Sequence, residues 1–251
     1  MSSKFERLES LARLAGEPSS ETRRKLLREI TDMFLQAPEE LSESEVESFG
    51  DVMGQIAREV EMEVRRHLAE RLADIGSAPP ELIAMLANDQ VEVARPVLMK
   101  SGVLKNAQLI DIAKRHSQEH LLAISLRQKV SRELADCLVE RGNDKVLVSL
   151  AKNEGAELSR PAMETMVARS EHLDELHEPL VMRSELPQDL LHQMFWCVSS
   201  ALRQHILSAT EDMDEDQVDQ LLEETRTWFD AAQREEAMTP HEKYALRKEK
   251  F

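Results

Sequence analysis

Apolar residues recur at helical spacing from one end of this chain to the other, and from about residue 60 the helices so marked come in pairs that repeat every 25 to 30 residues. First helices of the pairs start near Glu61, Val91, Gln118, Asn143 and Glu171. They carry the stripes Val64/Leu68/Leu72, Val93/Val97, Leu121/Ile124, Val146/Leu150 and Leu173/Leu176/Leu180. Second helices carry an acidic or amide residue before an apolar one, at Glu81-Leu82, Gln108-Leu109, Glu133-Leu134 and Asp189-Leu190, with Met163-Glu164 a degraded copy. A two-helix unit cannot bury its apolar face alone, whereas stacking neighbours buries a continuous core. The expectation is an all-α fold, an α-solenoid of five helix pairs over residues 61–197.

Composition agrees. Seven Gly and nine Pro in 251 residues, with six Phe, two Trp and one Tyr, are too few for the turns and cores of an all-β fold. A second register aligns Leu82 to Leu98 with Val146 to Met163, through the shared Arg-Pro dipeptides Arg95-Pro96 and Arg160-Pro161. It would equate a first helix with a second one, so the uniform pairing is preferred.

Residues 1–57 read as an N-terminal helical cap. A helix is expected from Phe5 to Leu14 and another after Ser19-Ser20, carrying Leu26, Leu27, Ile30 and Phe34. Ser42 and Glu45 have capping-box spacing. The helix they open is expected to run through Ile56 and Val60 to Ile75, with Gly50 and Gly54 as places to bend or break. Residues 58–210 form the repeat region and residues 211–251 an acidic amphipathic C-terminal helix and tail. Eight acids and no bases lie between Glu211 and Glu224, and Val218, Leu221, Leu222, Trp228 and Phe229 lie along one stripe. That helix is expected to cap the open end of the stack near Phe195-Trp196, or to join two copies of the chain.

Several blocks resemble a known family. They are REVEMEVRRHLAERLAD from Arg58 to Asp74, APPELI from Ala78, LANDQVEVARPVL from Leu86, SQEH from Ser117, LVERGN from Leu138, and Phe195-Trp196. Together they are similar to the domain-of-unknown-function 2336 family of alphaproteobacteria, which resembles HEAT-type helical repeats. The likeness covers roughly residues 5–210 and leaves the acidic helix outside. It implies a helical repeat fold, a bacterial setting and an interaction role. With no reaction established for the family, it carries over no catalytic residue.

No nucleophile elbow, P-loop or dinucleotide fingerprint occurs. Cys137 and Cys197 each stand in an apolar stretch, as buried thiols of a reducing compartment do. No apolar run is long enough to span a bilayer, and Lys4, Glu6 and Arg7 interrupt any secretory leader, so the cytoplasm is expected. His116-Ser-Gln-Glu-His120 has the H-x-x-E-H order of inverted zinc peptidases. Ser117 is a natural N-cap, however, and a turn there breaks the ligand spacing. The preferred reading has His116 at a helix C-terminus, partly cationic, and no metal or cofactor. Glu63/Arg66, Glu92/Arg95 and Glu157/Arg160 read as an ion-pair ladder, and His172, His177 and His192 as surface residues.

The functional expectation is a non-catalytic adaptor. On the second helices Asp111/Arg115, Asp136/Glu140, Thr165/Arg169 and His192/Trp196 line up as a mostly acidic stripe, suited to a basic or mixed-charge helix or peptide of a protein partner. The different-class alternative is a nucleic-acid-binding or base-processing repeat protein. It needs Arg66, Arg95, Arg115, Arg132, Arg160 and Arg169 to converge on one face against a net charge of −16.

Overall fold

The computed structural model describes residues 19–194. Its helices are α1 Ser20–Leu35, α2 Glu43–Ala57, α3 Met62–Leu72, α4 Pro80–Ala87, α5 Val91–Lys100 and α6 Asn106–Arg115. They continue with α7 Gln118–Ser125, α8 Arg132–Arg141, α9 Asp144–Lys152, α10 Arg160–Ser170 and α11 His177–Val181. Short 3-10 turns stand at Pro38–Glu40 and Asp174–Leu176. The chain divides into two units, Met1–Pro187 and Gln188–Phe251. Of the second, residues 188–194 are described and are helical. The expected helix at Phe5–Leu14, the Phe195-Trp196 pair and the acidic C-terminal helix lie outside the described residues.

Local chemistry sets the helix starts. Ser19, Ser42, Ser131, Asn143 and Ser159 each take an extended backbone conformation and accept a first-turn N–H on the side chain. Ser42 and Glu45 close the expected box, with the Ser42 N–H donating to Glu45 Oε2 at 2.9 Å. Pro80 and Pro161 occupy first turns, where a missing N–H leaves no bond unmade. Pro96 instead lies inside α5. The two Arg-Pro blocks therefore belong to different members of a pair, as the uniform register requires.

One expectation is corrected. The helix opened by Ser42 ends at Ala57 and does not run on to Ile75, while α3 starts after Glu61, as the repeat spacing expects. The helix is unbroken at Gly50 and Gly54. A Cβ on Gly50 would stand 2.6 Å from Pro79 Cβ, so this glycine lets α2 lie directly against the α3–α4 connection.

The helices of the first unit pack in two rows. In one, α3 lies on α5, α5 on α7, α7 on α9 and α9 on α11; in the other, α2 lies on α4, α6 on α8, and α8 on α10. Helix α1 packs on α2 and α3, and successive helices bridge the rows. Leu72, Ile83, Leu86, Leu98, Ile112 and Leu121 are among the side chains fully buried between them. Among the described residues the only β pairing is an isolated parallel bridge between Val130 and Ala156.

Polar ladders run along both edges of the first unit. At the turns between pairs, Arg65 holds Asp89 with two hydrogen bonds, of 2.5 and 3.1 Å, and Val60 O with a third. Gln118 receives the Asn143 N–H at 2.8 Å and donates to Arg141 O at 2.9 Å. At the turns within pairs, Arg127 donates to Leu98 O and Ser101 O, and Asn153 to Ser125 O and Arg127 O. Arg183 donates to the carbonyls of Leu150, Ala151, Asn153 and Ala156.

Candidate partner-binding surface

His116 and His120 carry the motif with the sharpest chemistry. Helix α6 ends at Arg115 and α7 begins after Ser117, so the expected break is present. The break folds the imidazoles together, with ring centroids 4.7 Å apart. Asn88 Nδ2 donates to Ala84 O at 2.8 Å, which leaves Asn88 Oδ1 to accept from His116 Nε2 at 3.0 Å. His120 Nε2 donates to Asp89 O at 3.0 Å, and its Nδ1 accepts from Ser117 Oγ at the same distance. Three of the four ring nitrogens are therefore committed to binding the α4–α5 turn and Ser117. Among the described residues no three His, Cys, Asp or Glu side chains are grouped to hold a metal. The expected partly cationic His116 is corrected: burial, with His120 next, pushes its imidazolium below the usual range.

Asp111 and Arg115 lie on α6 and pair with each other at 2.6 Å. Asp136 and Glu140 are exposed on α8 with Glu133, at positions that share one face. Asp136 also accepts from Ser159 Oγ at 2.5 Å, at the start of α10. On α10 the Thr165 hydroxyl donates to Pro161 O, and Arg169 reaches Asp144 at 3.5 Å. The packing of α6, α8 and α10 brings these six residues onto consecutive helices of one row. His192 is exposed in the second unit, and Trp196 lies outside the described residues. The stripe is mixed in charge: Lys114 and Arg115 end α6, the acids are concentrated on α8, and α10 carries Arg160, Glu164 and Arg169.

The six arginines of the nucleic-acid alternative are divided between the rows, Arg66 and Arg95 on α3 and α5, the others on α6, α8 and α10. Arg66 is held by Glu63 and Glu70, Arg115 by Asp111, Arg160 by Glu164 and Arg169 by Asp144. Of the expected ion-pair ladder Glu63/Arg66 is present. Glu157 precedes α10 and so has no helical spacing to Arg160. His172 is exposed, whereas His177 is half-buried and donates to Ser170 O. Cys137 is buried, which pushes its thiol pKa up.

The sequence reading missed a groove beside α2 and α4. A hollow of about 610 Å3 lies between α2, the Pro38–Glu40 turn and the α3–α4 connection, floored by Leu41, Val46, Ala78 and Pro79. A second hollow, of about 740 Å3, adjoins it through Gly50, Asp51 and Glu81. Glu43, Glu47 and Asp51, at i, i+4 and i+8 on α2, were the legible signal for its rim.

Residues 93–248 match the model of the DUF2336 family, described as uncharacterised protein conserved in bacteria. The chain belongs to this family. The match corrects the extent read from the blocks: it leaves Arg58–Asp74 and Ala78–Ile83 outside and takes in the acidic segment after residue 210. No curated protein and no solved structure matches the chain. Among the described residues no helix is long and apolar enough to cross a membrane.

Proposed function

We propose that the chain is a HEAT-like α-solenoid, with an alphaproteobacterial origin and a cytoplasmic setting. It acts as a non-catalytic adaptor that binds a protein segment along its second-helix row. The observation that carries this reading is the packing of α6, α8 and α10 on one another. It brings charged side chains of three consecutive helices, the half-buried Asp111 with the exposed Arg115, Asp136, Glu140 and Arg169, along one row. Repeats that stack only on their neighbours offer extended surfaces. Pairing of Arg115 and Arg169 within the chain leaves the acids of α8 as the charge available to a basic or mixed-charge segment. The homo-oligomer through the C-terminal helix remains part of the same reading, as a second mode of association.

Affinity capture from the native cell tests it. Asp136 holds the α10 cap through Ser159, so Glu140→Lys is the cleaner probe and Asp136→Lys/Glu140→Lys the stronger one. Partner association should slow about tenfold, more at low salt than at high. Submicromolar, steeply salt-dependent binding of DNA or RNA, lost on Arg115→Ala/Arg169→Ala, would establish the alternative instead.

A further inference from the structure

The α2–α4 groove has two properties that belong together. Its floor is apolar and fixed, because Gly50 lets α2 sit on Pro79 and the neighbouring Pro80 begins α4. Leu41 and Val46 are only half-buried along it. Its rim is uniformly acidic. Glu43, Glu47, Asp51 and Glu81 are exposed, and none of them has an ion pair among the described residues. Three of these carboxylates stand on successive turns of α2, over about 12 Å. They are spread along the groove and do not converge as metal ligands would, in keeping with the absence of any such group among the described residues.

We propose that this groove receives a basic amphipathic helix of a partner protein, its apolar side chains on the Leu41, Val46 and Pro79 floor and its Lys or Arg residues along Glu43, Glu47 and Asp51. Charge complementarity selects this occupant. Phosphate backbones and anionic lipid surfaces are repelled by the rim, and a basic helix with cations one turn apart matches its spacing. The rigid floor lowers the ordering cost on the protein's side. The inference goes beyond the adaptor reading, since it rests on α2 and α4 and not on the α6–α10 stripe.

The test uses the full chain and three fluorescein-labelled model peptides. One is a lysine-leucine peptide with leucines at helical spacing, one has the same composition in a non-amphipathic order, and one has Glu in place of Lys. The first should bind, and the other two should bind at least about tenfold more weakly. Glu43→Lys/Glu47→Lys should weaken the first peptide about tenfold at low salt. Val46→Ser should weaken it several-fold at high salt as well, where the charge contribution is screened. Asp136→Lys/Glu140→Lys should leave it unchanged. If the lysine variant melts abnormally, Glu43→Gln/Glu47→Gln reads the same loss in a milder form. Equal binding of the scrambled or acidic peptide, or equal weakening by Asp136→Lys/Glu140→Lys, overturns the proposal. The adaptor reading fails separately, if partner capture survives Glu140→Lys.

Discussion

Arg127 reaches back from the turn after α7 and donates from Nη2 to the Ser101 carbonyl at 2.7 Å, while Nη1 holds Leu98 O at 2.6 Å. These carbonyls close the last turn of α5, where no intrahelical N–H remains to meet them. Two first helices further on, Arg183 does the same for the end of α9. Between them Asn153 serves the end of α7, donating to Ser125 O and Arg127 O at 2.8 and 2.7 Å. A residue just beyond one first helix thus caps the preceding first helix, and the device recurs down the row.

Arg127→Ala should therefore destabilise the chain by about 2–3 kcal/mol, since a half-buried cation and the carbonyls it serves are removed from their pairing together. Burial pushes the Arg127 pKa down, yet its hydrogen bonds are made by the charged form. Arg127→Lys should recover part of the loss, because an ammonium cannot fork to two carbonyls in the same geometry. Urea unfolding of both variants checks the order; an alanine variant as stable as wild type would remove the cap from the account.

The two glycines of α2 should respond in opposite directions. Gly50→Ala drives a Cβ to 2.6 Å from Pro79 Cβ and should cost about 1–3 kcal/mol, as overpacking does. At Gly54 the new Cβ meets only Leu82 Cδ1, at 3.9 Å. Gly54→Ala should be neutral or stabilise by up to about 1 kcal/mol, through the helix propensity gained. Thermal melts of the two variants side by side decide it.

The elements legible in the sequence were those whose signals are local. Ser42 with Glu45, and Asn143, mark helix starts because the cap bonds within its own first turn. The break between α2 and α3 is marked only by the repeat spacing that starts a helix near Glu61, since Glu61 makes no side-chain cap bond. Arg58 to Glu61 contains neither Gly nor Pro, and Ile56, Val60 and Val64 keep helical spacing across it. The caps made by Arg127 and Arg183 were invisible for a different reason. Their acceptors are main-chain carbonyls about thirty residues away, and a carbonyl carries no residue type. The mostly acidic charge expected of the second-helix stripe differs from the mixed charge found there, because the i, i+4 spacing that aligns Asp111 with Arg115 also lets them neutralise each other.

Cys137 should resist thiol reagents in the native protein. Burial raises its pKa, which lowers the thiolate fraction, and access is restricted as well. With Cys197→Ser in place, so that one thiol remains, labelling should be slow in buffer and fast in denaturant. Rapid labelling of the folded variant would show that α8 opens easily.

Stability should fall on acidification in two separate windows. The His116 pKa is lowered by burial and then by His120 and Arg115, with Asp111 opposing, so the folded state favours neutral imidazole relative to the ordinary value of 6.5. The unfolded chain then binds more protons than the folded one just below that value. The contribution is whole above about pH 6.5 and is lost as the pH falls through the folded pKa. Glu61 acts lower down. Arg24, which donates to both its carboxylate oxygens, holds its pKa near about 2 against an ordinary 4.5, with help from Ser20. Its contribution is present above about pH 4.5 and lost towards pH 2. His116→Asn should lessen the fall between pH 7 and 5 and leave the lower window, whereas Arg24→Met should lessen the lower fall and leave the upper one, the remaining lower fall coming from Glu63, Glu119, Glu133 and Glu185, whose pKa values are also lowered. Urea midpoints measured across the pH range test both, and a profile in which either variant flattens the other's window would contradict the assignment.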